Sequence, residues 1–467
     1  MTASADATSG DALAPGSVVV VLGLGVAGRA ASRALRQRDY VVIACEDAAS
    51  QDTVDFAVEH DIELLTSPSA EQRQRAFARS HAFLPSPGIP EHHDAFGEAA
   101  NAGVPTISEF DLARWWDSRP MIAITGTDGK TSVTLLTVAM LEASGIHAAA
   151  VGNTETPLVE AIDDPTFEVF VVEASSFRLG HSQYFSPLAA AWLNFSPDHL
   201  DVHASLERYE LAKATIFSAI PAVGLAVAPI DDPVVLGHLP HGRSTTIVSS
   251  TAIATNDPAL PGDAGLGHVI DGALVLDGNE LLAVADLPRA FPHDVSNALV
   301  AAALAQHAGA THDGIVAALR TFDLPPHRIQ RVATLDGVEY YNDSKATVPH
   351  AVVTAVEAFD RVVLIAGGRN KGLDLSTMSH ASERARSVVA IGEAAPEIEA
   401  AFSGQVPTVR AADMDDAVRQ ARHMAEPGDV VLLSPGCTSF DAYGSYGERG
   451  DHFMEIVMHL QQVEEAQ

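Results

Sequence analysis

Met121-Ile122-Ala123-Ile124-Thr125 runs straight into Gly126-Thr127-Asp128-Gly129-Lys130-Thr131. The first five residues predict a short buried strand, and the next six a tight glycine turn into a helix. Downstream, Val133, Leu136, Thr137, Met140 and Leu141 recur at helical spacing and share one face. Gly145 stands where a left-handed residue would end that helix. Strand, glycine turn and amphipathic helix in this order make a phosphate cradle. Backbone N–H groups converge on one spot, and the positive end of the helix adds to them. Lys130 supplies a point charge for phosphate oxygens, and the Thr131 hydroxyl can ligate Mg²⁺. The usual pattern asks for glycine where Ile124 stands, so the motif is truncated to Thr-Gly-Thr-x-Gly-Lys-Thr. A purely structural turn is the bland alternative. The order of the surrounding elements favours a nucleoside triphosphate as substrate.

The chain has 467 residues, enough for two to four domains, and 47% of them are hydrophobic. Mean hydropathy is +0.12, yet no run reaches the ~20 apolar residues of a membrane span. Met1 to Gly16 lacks the features of a signal peptide and reads as a disordered leader. Two cysteines, Cys45 and Cys437, make neither a disulfide framework nor a metal spacing. These features point to the cytoplasm. The 61 acidic residues against 28 basic ones give a net charge of −33. That charge argues against nonspecific binding to nucleic acid or insertion at an anionic membrane. It also implies that the scarce Lys and Arg are concentrated where anionic substrates bind.

Three α/β units follow from the pattern. Residues 17–119 open with the apolar strand Ser17 to Leu22, then Gly23-Leu24-Gly25-Val26-Ala27-Gly28, a helix to about Arg38 and a strand Tyr40 to Ala44. This is a Rossmann-like start, with Glu46-Asp47 where a ribose-binding acid would sit. Arg114 to Pro120 reads as the link to residues 120–324, the unit that begins with the phosphate loop and carries a mostly parallel sheet. There Val169 to Val172 delivers Glu173, a natural Mg²⁺ ligand position. Leu188 to Leu193 delivers Asn194, Asp198, His199, Asp201 and His203, whose density suggests metal or substrate contact. Lys213 lies on a helix expected over Tyr209 to Ile220. By itself it reads as a snorkelling surface lysine. Thr251 to Gly265 reads as a loop, and Phe291-Pro292-His293-Asp294 precedes a helix expected to start near Val295, with Asn297 in its first turn. Residues 325–467 begin at a Pro325-Pro326 hinge. Expected strands are Gly337 to Tyr341, Val362 to Ala366, Val388 to Ile391 and Val430 to Leu433, again Rossmann-like.

Three strand-end clusters in the last unit are distinctive: Asn342-Asp343-Ser344-Lys345-Ala346-Thr347, Gly367-Gly368-Arg369-Asn370-Lys371 and Leu433-Ser434-Pro435 with Ser439. Together with the phosphate loop, Glu173-x-Ser175-Ser176-Phe177 and Glu448-Arg449-Gly450-x-x-Phe453, they resemble the Mur ligase family, ATP-dependent amide ligases of peptidoglycan synthesis. The resemblance spans essentially the whole chain after residue 16. It implies an enzyme that adds D-glutamate to UDP-N-acetylmuramoyl-L-alanine through an acyl phosphate, with ATP and two Mg²⁺ ions, working as a monomer. It further implies that Gly126, Thr127, Asp128, Gly129, Lys130, Thr131 and Ser132, with Asn297, Arg328, Asp343 and Lys345, hold ATP. Val26, Ala27, Glu46, Gly88, Asn153, Ser175 and His199 would line the UDP-sugar site. Thr347, Lys371, Ser439, Phe440 and Tyr446 would surround the incoming glutamate. Thr131, Glu173, His199 and Lys213 would serve the metals, Lys213 as a carbamate (N6-carboxylysine), and Lys130, Glu173, His199 and Lys213 would be catalytic. ATP and glutamate would bind on separate domains whose closure completes the centre.

Several positions depart from the family pattern. Asp128 stands where Asn is usual, Glu46-Asp47 replaces Asp-Thr-Arg, Arg178 replaces Gln, and Arg369-Asn370-Lys371 replaces Asp-Gly-Lys. Alternatives are a sibling ligase, including one adding L-glutamate or a folylpolyglutamate-type enzyme. From other classes come an NAD-dependent oxidoreductase built on Gly23 to Gly28 and a silent nucleotide-binding scaffold. The oxidoreductase leaves the Lys130 loop unexplained.

Overall fold

The computed structural model describes residues 13–200, 202–254, 260 and 264–465. The expected leader up to residue 12, and Asp201, lie outside the described residues. Leu13 to Gly16, also placed in that leader, are tied down. The Tyr40 hydroxyl donates to the Leu13 carbonyl at 2.6 Å, and the Gly16 N–H to the Asp39 carbonyl at 2.8 Å. The chain forms two compact units, one running to Phe322 and one from Asp323 onward.

The first unit holds two sheets. Strands β1 (Val18–Leu22), β2 (Val41–Glu46), β3 (Glu63–Thr66) and β4 (Ala82–Pro85) are parallel in the order β3-β2-β1-β4. The Val-Val-Val-Val-Leu run of β1 is buried or nearly so throughout, as expected of a strand covered on both faces. Its helix, Val26–Gln37, begins at the second glycine of the turn. Gly28 is obligatory there, because a Cβ would lie 2.0 Å from the Gly23 carbonyl oxygen.

The second sheet has nine strands: β5 (Met121–Thr125), β6 (Ala148–Gly152), β7 (Val169–Glu173), β8 (Ala189–Trp192), β9 (Leu225–Pro229), β10 (Ser244–Val248), β11 (Gly265–Ile270), β12 (Ala273–Leu276) and β13 (Asn279–Ala283). Their order is β13-β12-β11-β10-β9-β8-β5-β7-β6, parallel from β6 to β11 and antiparallel through the last two pairs. Asp271-Gly272 and Asp277-Gly278, all at positive φ, make the two hairpin turns. The phosphate loop leaves β5, inside the parallel part, where neighbouring strand ends surround it.

Local boundaries differ from expectation in three places. The expected link at Arg114 to Pro120 is helical in its first half, since Glu109–Trp116 forms a helix with a Ser108–Asp111 capping box. The Asp111 carboxylate also accepts N–H bonds from Gln183, Tyr184 and Phe185, fastening this segment to the second sheet. Phe291-Pro292-His293-Asp294 opens the next helix, Pro292–His307, because proline suits its first turn. Asn297 is therefore in the second turn. The helix His312–Thr321 stops short of the expected Pro325-Pro326 hinge.

The second unit is one sheet: β14 (Gln330–Leu335), β15 (Val338–Asn342), β16 (Val362–Gly367), β17 (Ala385–Ile391), β18 (Thr408–Arg410) and β19 (Val430–Gly436). The order is β14-β15-β19-β16-β17-β18, parallel except for the β14–β15 hairpin. The three distinctive clusters leave the C-terminal ends of the adjacent strands β15, β19 and β16, where open parallel sheets place ligand sites.

Candidate active site

The phosphate loop is held from β8. The Asn194 side-chain oxygen accepts the N–H groups of Thr127 and Asp128, each at 2.9 Å, and its amide donates to the Asp128 carbonyl at 3.3 Å. Those two N–H groups are therefore engaged by Asn194. The cradle falls to the first residues of the helix Lys130–Ala143, whose N–H groups have no intrahelical acceptor. Gly129 caps this helix at φ +81°, a left-handed conformation that disfavours any side chain. Asn297 arrives from its own helix so that a Cβ on Gly129 would sit 3.1 Å from its side-chain oxygen. Lys130 folds back, donating to the carbonyls of Gly126 and Thr127 at 2.8 Å each.

Lys213 is not a snorkelling surface residue. It is 2% exposed on the helix Leu206–Ser218. Its Nζ donates to the Gly126 carbonyl at 2.6 Å and lies 4.7 Å from the Tyr209 ring centroid. Burial, reinforced by the Lys130 charge, holds its ammonium well below the ordinary lysine range, while Asp198 and Asp128 pull the other way. Asp128 thus contributes negative charge toward Lys213, and it acts likewise on His293.

Glu173 ends β7 and is 3% exposed. One carboxylate oxygen accepts from the Asn153 amide at 3.0 Å, while the other, Oε2, is buried without a hydrogen-bond partner. An orphaned carboxylate oxygen beside a phosphate loop suits a cation, and Glu173 fits the expected Mg²⁺ in that respect. Among the described residues no three His, Cys, Asp or Glu side chains converge to hold a metal. The other expected metal residues are Thr131, His199 and a modified Lys213, with substrate oxygens beside them.

The His and Asp cluster after β8 divides its work. His199, at φ +57°, contacts Asp198 at 3.2 Å and packs edge-on to Phe177. His203 is buried and bridges Glu91 and the Ser176 hydroxyl, at 2.9 Å each. Ser175 caps the short helix Ser176–Leu179. In the first sheet Val26 is 77% exposed at the helix start and Gly88 lies in the loop after β4 at φ +85°. Ala27 shares a narrow cavity with Phe177, Arg178 and His181. The Glu46 carboxylate accepts the Leu24 N–H at 2.7 Å and so braces the glycine turn.

In the second unit Asp343 accepts from the Ile329 N–H at 3.2 Å and the Ser434 hydroxyl at 2.8 Å. Lys345 places its Nζ 4.1 Å from the centroid of Tyr446. Arg328 precedes Ile329 in the same turn. Arg369 and Thr438 exchange backbone hydrogen bonds, which sets the Lys371 loop beside the loop of Ser439 and Phe440. Ser439 is buried, whereas Phe440 is 62% exposed; Lys371 is exposed and Thr347 is half-buried. Arg449 ties the clusters together, donating to the Ser344 hydroxyl and carbonyl and to the Cys437 carbonyl. Burial lowers its pKa to about 10. Cys45 and Cys437 are both buried and unbonded.

Sequence reasoning undervalued Asn194, His203 and Arg449. Each is buried or half-buried and makes its contacts to loops distant in sequence. The density after Leu193 and the Glu448-Arg449-Gly450 run mark these residues, but no local spacing names the distant loops they reach.

Residues 124–305 match the Mur ligase middle domain, and residues 327–437 match the Mur ligase, glutamate ligase domain. A UDP-N-acetylmuramoylalanine–D-glutamate ligase of Desulfosudis oleivorans is 37% identical over 451 residues, covering 96% of this chain and 97% of the relative. One from Frankia casuarinae is 39% identical over 456 residues, covering 95% and 94%. Among solved structures, a pseudomurein peptide ligase type C from Methanothermus fervidus aligns with a TM-score of 0.59 at 17% identity, covering 95% of this chain and 100% of the other. MurF from Acinetobacter baumannii aligns at 0.58 with 15% identity, covering 93% of each; these two likenesses concern the fold. With both domain models matched in order and such relatives along almost its entire length, the chain belongs to the Mur ligase family.

Proposed function

We propose that this ATP-dependent ligase joins D-glutamate to UDP-N-acetylmuramoyl-L-alanine in peptidoglycan precursor synthesis. The named relatives supply the substrate pair. The observation that carries the chemistry is the pairing of Lys130 and Lys213 on one loop carbonyl, close in sequence to the helix N-terminus. The Lys130 ammonium and the helix N-terminus offer positive charge to the phosphates in a chain of net charge −33, as a meeting of two anionic reactants requires, while Lys213 is biased toward its neutral amine.

The L-alanyl carboxylate of the UDP-sugar attacks the γ-phosphorus of ATP. An oxygen–phosphorus bond forms, the β–γ bridge breaks, and ADP leaves. The amine of glutamate then attacks the acyl carbon, loses a proton, and phosphate departs from the tetrahedral intermediate. The N–H groups at the start of Lys130–Ala143 and the Lys130 ammonium hold the phosphates. Thr131, Glu173, His199 and Lys213 as its carbamate would hold Mg²⁺, which supplies charge neutralisation when bound. Asn297 on the first unit, and Arg328, Asp343 and Lys345 on the second, are the further expected ATP contacts, and Thr347, Lys371, Ser439, Phe440 and Tyr446 the expected glutamate contacts. Val26, Ala27, Glu46, Gly88, Asn153, Ser175 and His199 would bind the UDP-sugar.

Lys213 suits carbamylation: a buried amine biased toward its neutral form attacks CO₂, a nitrogen–carbon bond forms, and one proton is released. The carbamate would place negative charge next to Lys130. We assign the protein to the cytoplasm, where its nucleotide substrates are available, as a monomer. No helix among the described residues is long and apolar enough to cross a membrane. Mass spectrometry of the product tests the reading. UDP-MurNAc-L-Ala should gain one glutamyl residue only when ATP, Mg²⁺ and D-glutamate are all supplied. An unchanged nucleotide-sugar with folded protein would overturn it.

A further inference from the structure

A line of hydrogen bonds reaches Glu173 from the helix Glu109–Trp116. Glu109 and Arg178 form a buried ion pair, 3% and 8% exposed at their side chains. The same guanidinium donates through Nη1 to the Asn153 side-chain oxygen at 3.2 Å. Asn153 in turn donates through Nδ2 to Glu173 Oε1 at 3.0 Å, and its own N–H donates to the Glu173 carbonyl at 2.8 Å. Gly152 permits this approach, since a Cβ there would lie 2.6 Å from that carbonyl oxygen. Glu173 Oε2 remains buried and unpartnered.

The donor and acceptor types leave one orientation. Arginine is donor-only and an ionised carboxylate acceptor-only, so an amide between them must turn its oxygen to Arg178 and its NH₂ to Glu173. A glutamine at position 178 offers either polarity and would not impose that choice. Arg178 lies against Phe110 and pairs with one Glu109 oxygen; burial raises the Glu109 pKa and the guanidinium opposes that rise, while the other Glu109 oxygen is buried without a partner. We propose that the Glu109–Arg178 pair is a positioning device for Glu173. By fixing the Asn153 amide it occupies Oε1 and presents Oε2 as the cation-binding atom. Arg178 touches no reacting atom in this account. It acts through Asn153, as partners behind metal ligands do. The inference rests on the reading of Glu173 as a metal ligand.

Removing Arg178 alone strands a buried carboxylate, so the informative variant exchanges the pair for apolar residues, Glu109→Leu with Arg178→Met. Arg178→Lys is the conservative partner, because lysine is also donor-only, and Glu173→Gln is the control for the ligand itself. Two quantities are read: Mn²⁺ affinity of the protein by electron paramagnetic resonance, and the Mg²⁺ concentration giving half-maximal phosphate release. The apolar pair should weaken both at least tenfold with the fold intact by thermal melting, leaving KM for glutamate within about twofold. Arg178→Lys should recover most of the loss. Unchanged metal dependence in the apolar pair, with Glu173→Gln strongly impaired, would overturn the positioning role and leave the ligand reading standing. Unchanged metal dependence in Glu173→Gln would overturn both.

Discussion

Lys213 and Lys130 donate to the same acceptor, the carbonyl oxygen of Gly126, at 2.6 and 2.8 Å. Two ammonium groups on one carbonyl repel each other, and burial strips water from Lys213. Both effects favour its neutral amine. A carbamate there would turn the repulsion into attraction.

The Lys213→Ala variant should therefore lose about 100-fold or more in kcat, the scale of a deleted electrostatic group. Added bicarbonate should not restore it. In ¹³C-bicarbonate the wild type should show a carbamate carbon signal that the variant lacks. Equal activity of the two proteins would exclude the carbamate role.

The Asn194→Ala variant should release the Asp128 N–H, leave the Thr127 N–H only its 3.2 Å bond to the backbone carbonyl of residue 194, and loosen the phosphate loop. Loss of these bonds costs about 1–3 kcal/mol in unfolding free energy and should raise KM for ATP more than KM for the UDP-sugar. Denaturant titration and initial-rate kinetics check the two parts. An unaltered KM for ATP would show that Asn194 does not shape the cradle.

For Gly129→Ala the expectation is a loss of about 1–2 kcal/mol from its left-handed backbone, plus displacement of Asn297. Wild-type stability together with wild-type ATP binding would contradict the loop geometry.

Legibility in the sequence followed the strength of local signals. The strand, glycine turn and helix at 121–143 were readable because apolar period and glycine spacing coincide, and β1, β7 and β16 because each is a buried apolar run. Strands β11 to β13 were missed although Asp271-Gly272 and Asp277-Gly278 are hairpin turns. Their strands alternate weakly and sit beside a polar stretch read as loop. Lys213 shows a deeper limit. Its neighbours on the helix are mixed, and its burial is created by the Gly126 loop some 87 positions earlier. No local period reports that. The Asn153–Arg178 contact likewise joins the residue after β6 to the short helix after β7, and the two become neighbours only through the pairing of those strands.

His181 provides a pH test. Burial lowers its pKa from 6.5 to about 4, and its ring stacks on Phe96. The unfolded chain then binds a proton before the folded one does. Its contribution is whole above about pH 6.5 and is lost as pH falls toward 4. Replacing it in His181→Phe should flatten the fall of unfolding free energy across that window by about 1–3 kcal/mol. Parallel curves for wild type and variant would contradict the shift.

The most direct measurement of the central claim is ATP-dependent phosphate release with UDP-MurNAc-L-Ala and either D- or L-glutamate, each at equal concentration with Mg²⁺. Release is expected with D-glutamate, none without the UDP-sugar, and at most a small fraction with L-glutamate. Release that is equal for the two enantiomers, or independent of the UDP-sugar, would contradict the claim.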